Sequence, residues 1–301
     1  MSAELKGIRL AVIGGDDREL YFMAEMKKLG AYITGAGFER ADPLPDIVLT
    51  SQKEAVQQAD VLIFPMYGTD EGGVIKAKYA RDTLVLNQEI LQFIPASVPL
   101  LIGWARPALK SAAARLGIPI IETANVDEVA ILNSIPSAEG AIQLAMQNTK
   151  ITLHGSRSFV LGLGRTGWTL AARLQALGAQ VSGVARQEQD LAKATACGFR
   201  PLRFAQLDSV ISEAEIIFNT VPALVLNHQR LETLSPDTVI IDLASFPGGT
   251  DFAYAQRLGI KALLAPGLPG MVAPKTAGKI LAQVYPQLIL RQLATPVTSV
   301  Q

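Results

Sequence analysis

Three glycines carry the clearest chemistry in this chain: Gly162, Gly164 and Gly167, in the run Phe159-Val160-Leu161-Gly162-Leu163-Gly164-Arg165-Thr166-Gly167. Their G-x-G-x-x-G spacing follows a strand-like run and opens an amphipathic helix ending near Gly178, the context in which this pattern binds a dinucleotide. Gly162 permits a tight turn, Gly164 lets a pyrophosphate approach the backbone, and Gly167 lets helix and strand pack closely. The helix N-terminus, with Arg165 and Thr166 in its first turn, then presents backbone N–H groups to the phosphates. A merely structural glycine turn is the bland alternative, and the flanking strand and helix argue against it.

The following strand ends in Gly183-Val184-Ala185-Arg186. NAD-specific folds place an acidic residue here for the ribose hydroxyls, whereas Arg186 beside Ala185 suits a 2′-phosphate. NADP is therefore favoured and NAD remains open; a solvated arginine at a strand end is the alternative. Two later runs, Asn219-Thr220-Val221-Pro222 and Asp242-Leu243-Ala244-Ser245, fall at strand ends, where ligands of parallel sheets collect. Both read as backbone platforms beside the nicotinamide ribose, with ordinary turn chemistry as the competing explanation.

These residues need a scaffold, and the chain supplies one in alternating short apolar runs and helical stretches, the pattern of βαβ units. At 301 residues, two domains are expected rather than one. The strands of the first are read at residues 8–13, 31–34, 61–64, 98–102 and 119–121, with a weaker run at 83–86 and a helix over 18–29 stopped by Gly30. Those of the second fall at 158–161, 180–184, 215–220, 238–243 and 260–263. The fold class is α/β, two Rossmann-like parallel-sheet domains joined by helices, the second binding the dinucleotide. The expected divisions are 1–125, a helical connection over 126–150, 151–273, and a C-terminal helix over 274–301 that packs back on the first domain. Pro136 is expected to split the connection into two helices, with Ser134 or Ser137 capping the second and Glu139 in its first turn. Pro286 is expected to kink or divide the last helix.

Composition narrows the function classes. Lys and Arg number 27 and Asp and Glu 27, which excludes a generally basic nucleic-acid binder, and only 6% of residues are aromatic. With one cysteine, Cys197, and two histidines, His154 and His228, neither an intramolecular disulfide nor an ordinary zinc site is available, and no metal is expected. Cys197 reads as a buried helix-end residue. No apolar run is long enough to span a membrane and the N-terminal run is a poor signal peptide, so a cytoplasmic protein is expected.

In order, these pieces resemble the family of the dipicolinate synthase A-subunit. The resemblance rests on Val12-Ile13-Gly14-Gly15-Asp16, Asn133-Ser134-Ile135-Pro136 with Ala138-Glu139-Gly140, His154-Gly155-Ser156, and the glycine loop. It continues through Asp242-Leu243-Ala244-Ser245 with Pro247-Gly248-Gly249-Thr250-Asp251-Phe252, Leu263-Leu264-Ala265-Pro266-Gly267-Leu268-Pro269-Gly270, and Ala273-Pro274-Lys275-Thr276-Ala277-Gly278. It covers essentially the whole chain. It departs at Phe246, where a basic residue is expected, and at Tyr67-Gly68-Thr69-Asp70. The resemblance implies NAD(P)-dependent oxidation, with loss of water, of 4-hydroxy-tetrahydrodipicolinate to the pyridine dicarboxylate. It also implies a partner, the dipicolinate synthase B-subunit, and a place in the mother cell of a sporulating bacterium. A homo-oligomer is a further possibility.

A cyclic dicarboxylate needs cations or hydrogen-bond donors. Arg18, Thr69 and Arg106 follow strands of the first domain, Asn133 and Ser134 sit at the connection, and Lys275 lies in a loop-to-helix turn; all six are candidate substrate contacts. Arg106 is suited to a bidentate carboxylate pair and equally to a helix-start surface position. Arg18 has Asp16 and Asp17 close by to neutralise it. Asp16, Asp70, Glu139 and Lys275 are each chemically capable of general-base work, and the choice among them stays open. The rival readings are another two-domain dehydrogenase, alanine- or shikimate-dehydrogenase-like, and a non-catalytic NADP(H) sensor.

Overall fold

The computed structural model describes residues 4–294, so the outermost residues of the first-domain and last-helix expectations, 1–3 and 295–301, lie outside the described residues. The chain divides into a first unit, running up to Ala130 and resuming at Ala273, and a second unit, Ile131–Val272.

In the first unit the strands are β1 (Arg9–Ile13), β2 (Tyr32–Ala36), β3 (Val48–Leu49), β4 (Val61–Ile63), β5 (Val74–Ile75), β6 (Leu84–Val85), β7 (Leu100–Ile102) and β8 (Ile120–Glu122). Six form one parallel sheet in the order β3-β2-β1-β4-β7-β8, and β5 and β6 make a separate antiparallel pair. The central strands β1, β4 and β7 are apolar and buried almost throughout, as a sheet covered on both faces requires. The Asp17–Lys28 helix crosses the Pro274–Ala294 helix at Gly278, where a Cβ would come within 2.4 Å of the Arg18 carbonyl oxygen. Phe22 and the buried Tyr285 meet edge-on there, ring centroids 5.4 Å apart. The Pro274–Ala294 helix continues through Pro286 rather than dividing; the proline is buried in the helix interior, so packing holds the turn that the missing N–H weakens.

The second unit has β9 (Arg157–Leu161), β10 (Gln180–Ala185), β11 (Arg200–Arg203), β12 (Ile216–Asn219), β13 (Val239–Asp242) and β14 (Lys261–Leu264), all parallel, in the order β11-β10-β9-β12-β13-β14. The order reverses between β9 and β12, and at such a switch point a crevice opens beyond the carboxyl ends of the strands. One core on this sheet packs Val160, Leu170, Leu174, Phe218 and Ile241 with Ala138, Ala141 and Ala145 of the long helix.

That helix corrects an expectation. Asp127–Asn148 is one continuous helix with Pro136 inside it, so Ser134 and Ser137 are interior residues and cap nothing. A proline here costs about 3 kcal/mol. Two hydroxyls take up carbonyls around it: Ser134 Oγ bonds the Ile131 carbonyl at 2.6 Å and Ser137 Oγ that of Asn133 at 2.9 Å. Cys197 is a second correction, because it is exposed where the Glu188–Ala196 helix ends. Among the described residues no helix is long and apolar enough to cross a membrane, and no group of three metal-ligating side chains forms.

Candidate active site

In the second unit the glycine loop joins β9 to the Arg165–Ala176 helix across the switch point. Gly162 has φ +90°, and a Cβ there would stand 2.6 Å from Thr220 Oγ1. A Cβ on Gly167 would lie 1.9 Å from the Gly162 carbonyl oxygen, so helix and strand approach in a way only glycine allows. Gly164 differs: its backbone is extended, at φ −81° and ψ −165°, and apart from its chain neighbours no residue has an atom within 4 Å of where its Cβ would be. Neither strain nor packing demands glycine at Gly164, and no side chain caps the helix that it starts. Space, a helix N-terminus and missing side chains at one place fit the pyrophosphate of a dinucleotide.

The neighbouring strand ends lie on either side of β9. β10 closes at buried Ala185, with Arg186 exposed beyond it. Ala185 is in register with Arg203 on β11, and the Arg203 guanidinium grips Glu188 with bonds of 2.9 and 2.7 Å. Glu188, two residues past Arg186, is thereby charge-paired, and among the described residues no carboxylate pairs with Arg186. On the other side of β9, Thr220 donates its hydroxyl to the carbonyls of Leu161 and Gly162, at 3.0 and 2.9 Å, tying the β12 end to the loop.

One buried carboxylate fixes the two remaining segments. Asp242, at the end of β13, accepts from Asn219 Nδ2 and Ala244 N through Oδ1, both at 3.0 Å. Its Oδ2 accepts from Gly249 N at 2.8 Å and Thr250 Oγ1 at 2.7 Å. The Asn219 side chain is spent inside the protein, bonding also the Val221 carbonyl and amide, so the surface left near Asn219 is that of Thr220, Val221 and Pro222. Leu243, Ala244 and Ser245 follow on the Asp242 anchor. The anchoring role of Asp242 does not emerge from the sequence reading, although an acid closing an all-apolar strand before Gly248-Gly249-Thr250 is a visible signal.

In the first unit the corresponding helix N-terminus is closed. Asp16 caps the Asp17–Lys28 helix, and Glu19 reaches back to accept from the Asp16 amide at 2.7 Å, a reciprocal capping box. Arg18, buried, grips the Asp16 carboxylate with bonds of 2.9 Å from Nε and Nη2. Burial works to raise the Asp16 carboxyl, but the bonds and charge of Arg18 outweigh it and the net shift is downward. Glu19 is fully buried, and desolvation lifts its carboxyl to about 7 against the pull of Arg18. Asp16 and Arg18 are therefore committed to each other, as their spacing in sequence allows.

The β4 and β7 ends interlock beside this cluster. A Cβ on Gly68 would fall 2.1 Å from the Trp104 carbonyl oxygen, and one on Gly103 1.9 Å from that of Met66. Arg106 caps no amide; its Nε reaches the Thr69 carbonyl at 3.4 Å, leaving the side chain exposed at the loop. Thr69 is buried, and Asp70 holds a turn through the Val74 amide at 2.8 Å. The Arg18 guanidinium stands 4.9 Å from the Tyr67 ring centroid and Lys76 Nζ 4.2 Å from it. Neither Tyr67 nor Lys76 stands out as a ligand contact in the sequence, because both lie far along the chain from Arg18 and meet it around the Tyr67 ring only in the fold.

Other candidates lie elsewhere in their units. Ser134 is buried and also bonds Thr169 Oγ1 at 2.6 Å, and the Asn133 carbonyl serves Ser137. Glu139 is exposed on a groove of about 560 Å³ with Arg173, Ala176 and Leu177, at the far end of the helix that Gly164 starts, so it is not brought to the glycine loop. Lys275 is exposed on the first turn of the Pro274–Ala294 helix.

Residues 9–124 match the family model of the N-terminal domain of the dipicolinate synthase A-subunit. Residues 136–245 match the NAD-binding domain of D-isomer specific 2-hydroxyacid dehydrogenases. The chain is 42% identical over 287 residues to the dipicolinate synthase A-subunit of Bacillus subtilis (strain 168), covering 95% of this chain and 97% of that protein. The crystal structure of the dipicolinate synthase A-subunit from Bacillus halodurans matches with a TM-score of 0.90 at 36% identity, over 97% of this chain and 100% of that one. An L-alanine dehydrogenase structure also matches, with a TM-score of 0.64 at 15% identity over 95% of this chain and 92% of that one, a likeness of fold alone.

Proposed function

Because the chain belongs to the family of the dipicolinate synthase A-subunit, with an oxidoreductase-type NAD-binding domain, we propose that it oxidises 4-hydroxy-tetrahydrodipicolinate to pyridine-2,6-dicarboxylate with NADP. The net change is loss of one water from the ring and removal of a hydride and a proton, giving the aromatic pyridine. The nicotinamide supplies the hydride acceptor.

The observation that carries the reading is the glycine loop. Gly162 and Gly167 are glycines because the fold leaves no room for a side chain, whereas Gly164 is glycine although the fold leaves room. The amides following Gly164 hold the pyrophosphate, Arg186 the 2′-phosphate, and the segments 220–222 and 243–245 the ribose and nicotinamide end. Arg203 keeps Glu188 from repelling the 2′-phosphate. In the first unit, Arg106 and Thr69 take the substrate; Asp16 is spent on Arg18, so Asp70 and Lys275 remain the proton acceptors to test. We further propose that a B-subunit of dipicolinate synthase completes the enzyme in the cytoplasm of the sporulating mother cell.

The test is direct. Freshly generated 4-hydroxy-tetrahydrodipicolinate is mixed with the purified chain and NADP⁺ or NAD⁺, with and without the B-subunit, while reduced nicotinamide and pyridine dicarboxylate are followed together. Matched appearance of both, faster with NADP⁺, is expected. Neither product appearing with the B-subunit present, while NADP still binds, would remove the oxidation and leave a cofactor-binding role.

A further inference from the structure

Arg18, the cation that its place after β1 offers to a ligand, is buried and already paired with Asp16. The exposed cation beside it is Lys76. Two backbone bridges fix the segment that carries Lys76: Thr69 with Ile75 on one side, and Gly15 with Ala77 on the other. The Lys76 carbonyl accepts from the Gly15 amide at 2.8 Å, and the Lys78 amide donates to the Gly15 carbonyl at 2.8 Å. A Cβ on Gly14 would meet Ile75 Cγ2 at 2.7 Å, so the segment also fits closely against the end of β1. The backbone of Lys76 is thus sewn between the carboxyl end of β1 and the loop after β4, where a parallel sheet collects ligands.

The side chain is held too. Lys76 Nζ lies 4.2 Å from the Tyr67 ring centroid, on a ring that also has the Arg18 guanidinium at 4.9 Å. Among the described residues no carboxylate forms an ion pair with Lys76. Two cations on one ring repel each other unless anions compensate, and the Asp16 carboxylate is bonded to only one of them. Glu19, the other acid of the cluster, is drawn towards its neutral form by burial. The two cations therefore face one carboxylate already bonded to Arg18 and a second acid that burial holds back from ionising. Two residues beyond Tyr67, the Thr69 carbonyl accepts at 3.4 Å from Nε of Arg106, a second exposed cation that reaches the loop from the end of β7.

We infer that Lys76, seated on the Tyr67 ring, is a carboxylate anchor of the first unit and acts with Arg106 to select a dicarboxylate over a monocarboxylate. The inference rests on the dicarboxylate reading above and names the residue that recognises it. A lysine suits this task as a point charge with three rotatable donors, while the aromatic ring limits where the ammonium goes.

Calorimetric titration of the full chain with pyridine-2,6-dicarboxylate and with pyridine-2-carboxylate tests the anchor. Lys76→Met keeps the stem on the Tyr67 ring and removes the charge, and Lys76 is exposed, so the melting temperature stays unchanged. The variant is expected to bind the dicarboxylate about tenfold or more weakly. Its preference for the dicarboxylate over the monocarboxylate narrows accordingly, NADP affinity is untouched, and Lys76→Arg recovers most of the loss. Dicarboxylate affinity unchanged in Lys76→Met would overturn the anchor while leaving the proposed reaction standing. An unaltered chain that binds NADP but no dicarboxylate would overturn the proposed reaction, and the anchor with it.

Discussion

Replacing Gly164 by alanine separates cofactor binding from folding. With φ −81° and ψ −165° the residue sits in backbone space open to any amino acid, and apart from its chain neighbours nothing stands within 4 Å of the new methyl group. Alanine restricts the unfolded chain, which stabilises by about 0.4–1 kcal/mol. Against this, alanine is a poorer N-cap than glycine by a similar amount. Folding stability is expected to stay within about 1 kcal/mol of the unaltered chain. A phosphate at the N-terminus must approach the amides to about 2.7–2.9 Å, and the methyl group then occupies its path. Losing one or two charge-assisted hydrogen bonds, at about 1.5–3 kcal/mol each, weakens NADP binding by roughly tenfold to several hundredfold. Urea unfolding and titration of the NADPH fluorescence read the two quantities on one preparation. Gly167→Ala provides the contrast, because its methyl would stand 1.9 Å from the Gly162 carbonyl oxygen and must lower both stability and binding. If Gly164→Ala bound NADP as tightly as the unaltered chain, or lost stability in step with affinity, the open space at Gly164 would not be a phosphate site.

Arg186→Glu is expected to weaken NADP far more than NAD, read as the ratio of the two dissociation constants; equal losses would remove Arg186 from the 2′-phosphate. Arg106→Ala should raise the Michaelis constant for the dicarboxylate and leave NADP affinity intact, and an unchanged constant would take it out of the site. Glu19 holds its proton up to about 7 when folded, against an ordinary 4.5, so the folded state binds more protons in between. The first unit therefore loses stability as pH rises from about 4.5 through 7. Glu19→Gln keeps an oxygen for the Asp16 amide and should flatten that dependence in denaturant unfolding followed from about pH 5 to 8; an unaltered slope would mean that Glu19 is ionised throughout.

What the sequence makes legible is local. The glycine loop lies in nine consecutive residues between a strand and a helix, so spacing alone carries its chemistry. The apolar runs of β1, β4, β7, β9, β12 and β13 are the buried strands of both sheets. Besides the two-residue β5, two edge strands of the large sheets escape notice. β11 reads Arg-Pro-Leu-Arg with only Leu202 buried, and both residues of β3 are exposed, so neither shows the apolar signature of a central strand. Local propensity misreads the helix through Pro136, because packing of Ala138, Ala141 and Ala145 in the core sustains what the proline opposes. The Arg18–Tyr67–Lys76 cluster stays hidden for a different reason. Its members come from the first turn of a helix, the loop after β4 and the segment after β5, which only the strand order brings together, and no spacing rule covers such a set.

The two sheets share one strand order, yet they end in opposite electrostatics at the same topological place. After β9 the helix starts at a glycine with open space and no capping side chain. After β1 it starts at Asp16, with Glu19 returning the bond and the Ile75–Ala77 segment lying against Gly14. Two carboxyl groups and a covering segment at a helix N-terminus exclude a pyrophosphate from the first unit, since amides that would hold it are already satisfied and an anion would meet Asp16. Recognition of an anion there must pass from backbone to side chains, and the exposed cations at hand are Lys76 and Arg106, both gathered at the loop after β4. A diffuse phosphate chain suits a row of amides; two carboxylates at fixed separation on a ring suit separate point charges. The proposed division of labour thus turns on what occupies the first turn of one helix, and for the first unit that occupant is the Asp16–Arg18 pair.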